Sequence, residues 1–184
     1  MRLDTPGELT PMQRITALMA DLNGLPEAAF VARLGGIIEH SPWAAAEIVA
    51  LRPFGDLESL HSAMLGAVWR RGRVAQLDLL NAHPELAGKE ADAGTLTAHS
   101  TSEQDSVGLT SLSPWEKTRI TELNQAYRAK HGFPFIIAVK LRNKAQILAN
   151  FERRLANDTE VELAVALMEV SKIARMRLDA LLAA

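Results

Sequence analysis

In this chain of 184 residues, one run alone has the composition of a β-strand: PFIIAV at 134–139, bounded by Pro134 and Lys140. A strand needs a partner for its backbone N–H and C=O groups, and no second run in the sequence offers one. The segment is therefore expected to be buried and either irregular or helical. The rest of the chain reads as helices. Leu9, Met12, Ile15, Leu18, Met19 and Leu22 recur at three- and four-residue steps. Pro26 is placed to open PEAAFVARLGGIIEH, since its missing N–H costs nothing in a first turn. Ser41-Pro42 reads as a cap and first-turn proline for SPWAAAEIVALR, and Asp56 as the cap of DLESLHSAMLGAVWRR. A shorter helix over about 74–82 ends at His83-Pro84. Ser113-Pro114 starts another, with Trp115, Ile120, Leu123 and Tyr127 on its apolar face and Gly132 at its end. Two closing helices cover about 144–155 and 159–182. In the last, Val161, Ala164, Val165, Met168, Ile173, Met176 and Leu178 are expected on the buried side.

The expected fold is thus all-α, a single-domain bundle over 1–184 of about eight helices. One stretch breaks the pattern. Residues 87–112 are rich in Gly, Ser, Thr and Asp and lack a sustained helical stripe, apart from a short turn at 102–107. Loops of this length inside compact domains are usually functional or disordered.

Composition narrows the function classes. Net charge is -2 with a pI near 6.2, which gives no basic footprint for nucleic acid. There is no Cys, which excludes disulfides, thiolate catalysis and Cys-based zinc sites. The first residues, MRLDTPGELTP, lack an apolar leader core, and no apolar run approaches a membrane span. A cytoplasmic protein with no membrane partner is expected. His40 and His61 fall on predicted helices, His99 in the loop and His131 beside Gly132, and none forms a recognised metal spacing. Glycine-rich phosphate loops and a nucleophile elbow are absent, and Gly35-Gly36 lies within a helical pattern. No metal and no organic cofactor is expected.

Four segments carry chemistry-bearing residues: HPEL at 83–86, STSEQ at 100–104, GL at 108–109 and GFPFIIAVK at 132–140. Each has a plain structural reading. His83 suits a helix C-terminus through the macrodipole, Ser100 with Glu103 matches a capping box, and Phe-Pro-Phe-Ile-Ile reads as core.

In this order and at these separations, the segments resemble the OHCU (2-oxo-4-hydroxy-4-carboxy-5-ureidoimidazoline) decarboxylase family. The likeness includes HSPW at 40–43, RPF at 52–54, GTLTAHSTSEQ at 94–104, ELNQAYRAKHGFPFIIAVK at 122–140 and ELAVALMEVSKIARMRLDALL at 162–182. It implies an all-helical, dimeric enzyme that needs no cofactor and converts OHCU to (S)-allantoin and carbon dioxide in urate breakdown. Carried over by position, it implies that His83 is catalytic with Glu103, and that Pro84, Ser100, Thr101, Ser102, Glu103 and Gln104 bind substrate. Phe135, Ile136, Ile137, Ala138 and Val139 form a second binding stretch. Relatives often carry Arg where this chain has Lys140; Lys lacks the planar fork that grips a carboxylate, so Lys140 reads as a surface charge.

On this resemblance, the substrate holds its own electron sink, and His83 delivers a proton to the carbanionic carbon. Glu103 accepts from ring or ureido N–H groups. Two other readings stand beside this one: a helical interaction or regulatory module, and a related enzyme acting on a different ureido or hydantoin acid. The decarboxylase reading expects His83, Glu103 and the backbone of 135–139 to line one pocket.

Overall fold

The computed structural model describes residues 10–182, so Leu9 lies outside the described residues. Ten α-helices and two 3-10 turns account for the ordered elements, with no strand among the described residues. The residues cluster into two compact units, one comprising the chain up to Arg70 together with Ala174 onward, the other Arg71–Ile173. No helix among the described residues is long and apolar enough to cross a membrane.

In the first unit, α1 (Pro11–Gly24) starts at a Thr10–Gln13 capping box, α2 covers Glu27–Leu34, α3 Trp43–Ala46 and α4 Leu57–Arg70. The Asp56 carboxylate caps α4 as expected, accepting from Ser59 N–H at 2.7 Å. Two expected helices are shorter than the periodicity suggests. α2 stops before Gly35-Gly36, where each glycine weakens a helix by about 1 kcal/mol, and His40 takes a left-handed φ of 46°. The segment after Pro42 makes α3 and then a 3-10 turn, Val49–Leu51. Pro53 follows closely, and a residue before proline is driven to extended backbone, as Arg52 is at ψ 150°.

The second unit holds α5 (Gly72–Asn81), α6 (Lys89–Asp92), α7 (Ala98–Asp105), α8 (Pro114–His131) and α9 (Lys144–Leu155). It also holds the first part of α10 (Thr159–Ala180). α8 begins with a Ser113–Glu116 capping box and ends at Gly132, whose φ of 81° is left-handed. The long polar loop expected over 87–112 is shorter than supposed, because α6 and α7 lie within it. α7 has almost no apolar residue, so hydrophobic periodicity could not reveal it; Thr97, accepting from Ser100 N–H, caps it.

The expected buried side of α10 also needs correction. Ile173 and Leu178 are buried, but Val161 and Met168 are 51% and 58% exposed, and Ala164 is exposed too. The buried face is built on Leu163, Ala166, Leu167, Val170 and Ala174 and includes Glu162, Glu169 and Arg177. These charges are paired inside, so a purely apolar criterion picks a face rotated away from the true one. On α8, Trp115 departs similarly: it is 69% exposed, while Ile120, Leu123 and Tyr127 are buried.

Candidate active site

His83 follows the end of α5 and is buried. Its ring Nδ1 lies 2.9 Å from the Leu79 carbonyl, one helical turn back. A carbonyl oxygen only accepts, so Nδ1 carries a proton and donates it. A helix-end imidazole held this way has a fixed ring plane. The next residues form a tight turn. Gly88 N–H donates to Glu85 O at 3.2 Å, and a side chain at Gly88 would meet Glu85 Cβ at 2.7 Å. Ala87 sits at φ 46°, a left-handed conformation that a non-glycine residue adopts at a cost.

The STSEQ run is a helix face rather than a capping loop. Thr97 takes the cap position, which sets Ser100 inside the first turn of α7 and overturns the capping-box reading of Ser100 and Glu103. Residues three and four apart share a face, so Ser100, Glu103 and Gln104 point together, and all three are buried. Thr101 and Ser102 lie on the other side and are exposed. Gln104 Oε1 accepts from Ala87 N–H at 2.9 Å, which ties α7 to the turn that follows His83.

The 134–138 segment has neither helical nor strand pairing, which of the two expected forms, irregular or helical, leaves the irregular one. Side chains take the place of a partner strand. Arg154 Nη1 donates to Ile136 O at 2.8 Å, Glu169 Oε2 accepts from Ala138 N–H at 2.8 Å, and Arg142 Nη1 donates to Ala138 O at 3.0 Å. The side chains of the run are core. Phe135 stacks on Phe151 with ring centroids 3.9 Å apart, meets Tyr127 edge-on at 5.3 Å, and lies under the Arg154 guanidinium at 4.4 Å. A 3-10 turn, Val139–Leu141, ends the run, and α7 packs against it. Lys140 is exposed, as the surface-charge reading expects.

Behind the run lies a charged core that the sequence reading missed. Glu162 Oε1 accepts from Tyr127 Oη at 2.5 Å and from Arg154 Nε at 2.6 Å, and Glu162 Oε2 accepts from Asn157 at 2.8 Å. Burial, with the carboxylate as hydrogen-bond acceptor, raises the Tyr127 phenol well above its ordinary value. Glu169 pairs with Arg142 and Lys172. Burial alone would raise its pKa, but the Ala138 amide and these two cations hold it below the usual carboxylate value. The signal was present as Glu162 and Glu169, seven residues apart on one helix face.

α7 is therefore the common neighbour of two predicted regions, bonded to the turn after His83 and packed on the turn after 135–138. Two recesses of about 250 and 260 Å³ flank Lys117. Both include Ala87 and Asp92 in their walls, and neither includes His83 or Glu103.

The family model described as OHCU decarboxylase matches residues 23–179. The mouse 2-oxo-4-hydroxy-4-carboxy-5-ureidoimidazoline decarboxylase is 40% identical over 166 residues, covering 90% of this chain and 93% of the mouse protein. The enzyme of that name from Haloferax volcanii is 41% identical over 160 residues, covering 87% of this chain and 93% of its own. A crystal structure of (S)-allantoin synthase is similar at TM-score 0.71 and 34% identity, over 88% of this chain and 53% of that longer one. A crystal structure of OHCU decarboxylase in the presence of (S)-allantoin, 24% identical, shares the fold at TM-score 0.60 over 77% of this chain and 92% of its own. A match running through both compact units, with relatives this similar along nearly their whole length, leaves one conclusion: the chain belongs to the OHCU decarboxylase family.

Proposed function

We propose that this chain is a cofactor-independent carboxy-lyase that converts OHCU to (S)-allantoin and carbon dioxide in urate degradation, with His83 as the proton donor. Family membership supports the reaction. The observation that carries the residue assignment is the His83–Leu79 bond, which assigns the ring proton to Nδ1 and so makes Nε2 the basic nitrogen, beside a turn bonded to α7. The two units are read as one domain, since the family match spans both.

When the carbon–carboxylate bond breaks, its electron pair passes into the ring's own carbonyl and nitrogen system. No external electron sink is needed. His83 Nε2 takes the proton of the ring hydroxyl, which becomes the product carbonyl, and then supplies it to one face of the ring carbon, which fixes the handedness of the product. Glu103, on the buried face of α7, accepts hydrogen bonds from the ureido and ring N–H groups, and the Ser100 hydroxyl on the same face donates to a substrate carbonyl. Gln104 takes part through its amide N–H₂, its carbonyl oxygen being engaged by Ala87. Backbone groups of 135–139 that the charged side chains do not use, such as the Ile137 N–H, hold the ring. Pro84 stiffens the entry to the turn. Thr101 and Ser102, being exposed, contribute least.

The same reading carries a cytoplasmic setting and a homodimer. Val161, Ala164 and Met168 leave an apolar stripe exposed along α10, and we assign it to the dimer face. Purified protein incubated with freshly generated OHCU tests the activity. (S)-Allantoin, followed by circular dichroism, should form faster than spontaneous decay. Racemic allantoin at the uncatalysed rate would remove the reading.

A further inference from the structure

The turn after His83 is held by more than its own chain. Its three central backbone groups are each engaged by a side chain from α7 or α8. Asn124 Nδ2 donates to Leu86 O at 3.0 Å, Gln104 Oε1 accepts from Ala87 N–H at 2.9 Å, and Lys117 Nζ donates to Ala87 O at 2.6 Å. Lys117 also spans both oxygens of Asp92, at 2.6 and 2.8 Å, so its three ammonium donors have three acceptors. These bonds converge on the one residue of the turn in the left-handed region, Ala87 at φ 46°. A non-glycine residue stays there only where its surroundings over-determine it.

We propose that Lys117 is a positioning residue for His83: with Asn124 and Gln104 it clamps Leu86 and Ala87, and so fixes the imidazole relative to the buried face of α7. The inference rests on the reading of His83 as proton donor. Lys117 touches no reacting atom; it acts through the strained turn. Its alternative role is a stability contact alone, and the half-exposed Lys117–Asp92 pair would then contribute little. The clamp explains why an ammonium is spent on a main-chain carbonyl at this position. It also reassigns Gln104, whose carbonyl end serves the turn.

The test uses Lys117→Met, with and without Ala87→Gly, since glycine adopts positive φ freely. A displaced general acid should lower kcat about 10–100-fold, because misplacement on the ångström scale costs that much. KM for OHCU should change little, and Ala87→Gly should restore most of kcat. The His83 imidazole titration, followed by NMR, should move in Lys117→Met and return in the double variant. Should Lys117→Met not fold, Asp92→Asn loosens the same ammonium from its exposed side and should give a smaller change of the same kind. Wild-type kcat, enantiomeric excess and His83 titration in these variants would overturn the proposal. So would a loss that follows the melting temperature and is not restored by Ala87→Gly. If the wild-type protein fails to turn over OHCU, the functional reading falls, and the His83 titration alone still decides whether the clamp positions the ring.

Discussion

His83 and Leu79 are joined by a 2.9 Å hydrogen bond from ring Nδ1 to a main-chain carbonyl. Replacing His83 by Asn removes a group that can cycle a proton near neutral pH. Stereospecific allantoin formation should fall by about 10²–10⁴-fold, the usual share of a general acid–base group. Because the ring is buried and bonded, the variant should also lose about 1 kcal/mol of stability. Enantiomeric excess and a melting curve, taken together, check both. Near wild-type formation of the (S) product would sink the assignment.

The face of α7 sorts its residues. Thr101→Ala and Ser102→Ala, on the exposed side, should stay within about twofold of wild-type kcat/KM, a change well under 1 kcal/mol. Glu103→Gln keeps shape and some hydrogen bonding, and should raise KM for OHCU or misorient the ring. If the exposed pair proved as costly as Glu103, the division of the helix into a working face and a solvent face would be wrong.

Arg154 and Glu162 are paired inside the second unit, with side chains 2% and 0% exposed. Arg154→Met strips the partner from a buried carboxylate and frees the Ile136 carbonyl. Urea denaturation should show a loss of about 3–5 kcal/mol. A loss below about 1 kcal/mol, as for an exposed pair, would show that the carboxylate is not dependent on the guanidinium.

His131 is expected to make stability fall in mild acid. Burial lowers its pKa below the ordinary 6.5; Glu162 opposes this, while Lys130 and Arg154 add to it. The folded protein therefore resists a proton that the unfolded chain accepts. The contribution is intact above pH 6.5 and is lost as pH falls from there through the lower folded value. His131→Phe keeps an aromatic ring beside Tyr127 and Phe133 and should flatten the melting temperature over this window. Glu116 adds its loss only further down, since the Lys144 ammonium and the Ser113 cap hold it at about 2.

Met168→Glu should weaken association by placing a charge in the exposed stripe of α10. Sedimentation velocity at micromolar concentration should give a dimer for wild type and a monomer for the variant. A wild-type monomer would refute the assembly, and a variant dimer would place its interface elsewhere.

Much of this architecture is legible in the sequence. Ser113-Pro114, Asp56 and Gly132 mark helix ends through local chemistry, and the structure has them there. The lack of a partner for 134–139 correctly excludes a strand and implies burial, while leaving irregular and helical backbone open; 134–138 is irregular. What stays hidden depends on pairing between distant residues. Glu162, Glu169 and Arg154 look like surface charges until their partners are known. α7 is invisible to an apolar criterion because its buried face is Ser100, Glu103 and Gln104. The motif residues were identifiable through resemblance; Lys117 and Asn124 were not, since their target is main chain and leaves no mark on side-chain patterns.

The way 135–139 is satisfied also bears on how the molecule is made. Arg142, Arg154 and Glu169, which serve its backbone, all lie later in the chain. During vectorial synthesis this apolar, β-prone pentapeptide leaves the ribosome before any of them. Until α9 and α10 emerge, its amides and carbonyls have only water or another nascent copy to bond. Chains cut short before Glu169 should therefore be the ones that need chaperones most and clump most readily, with this segment as the seed.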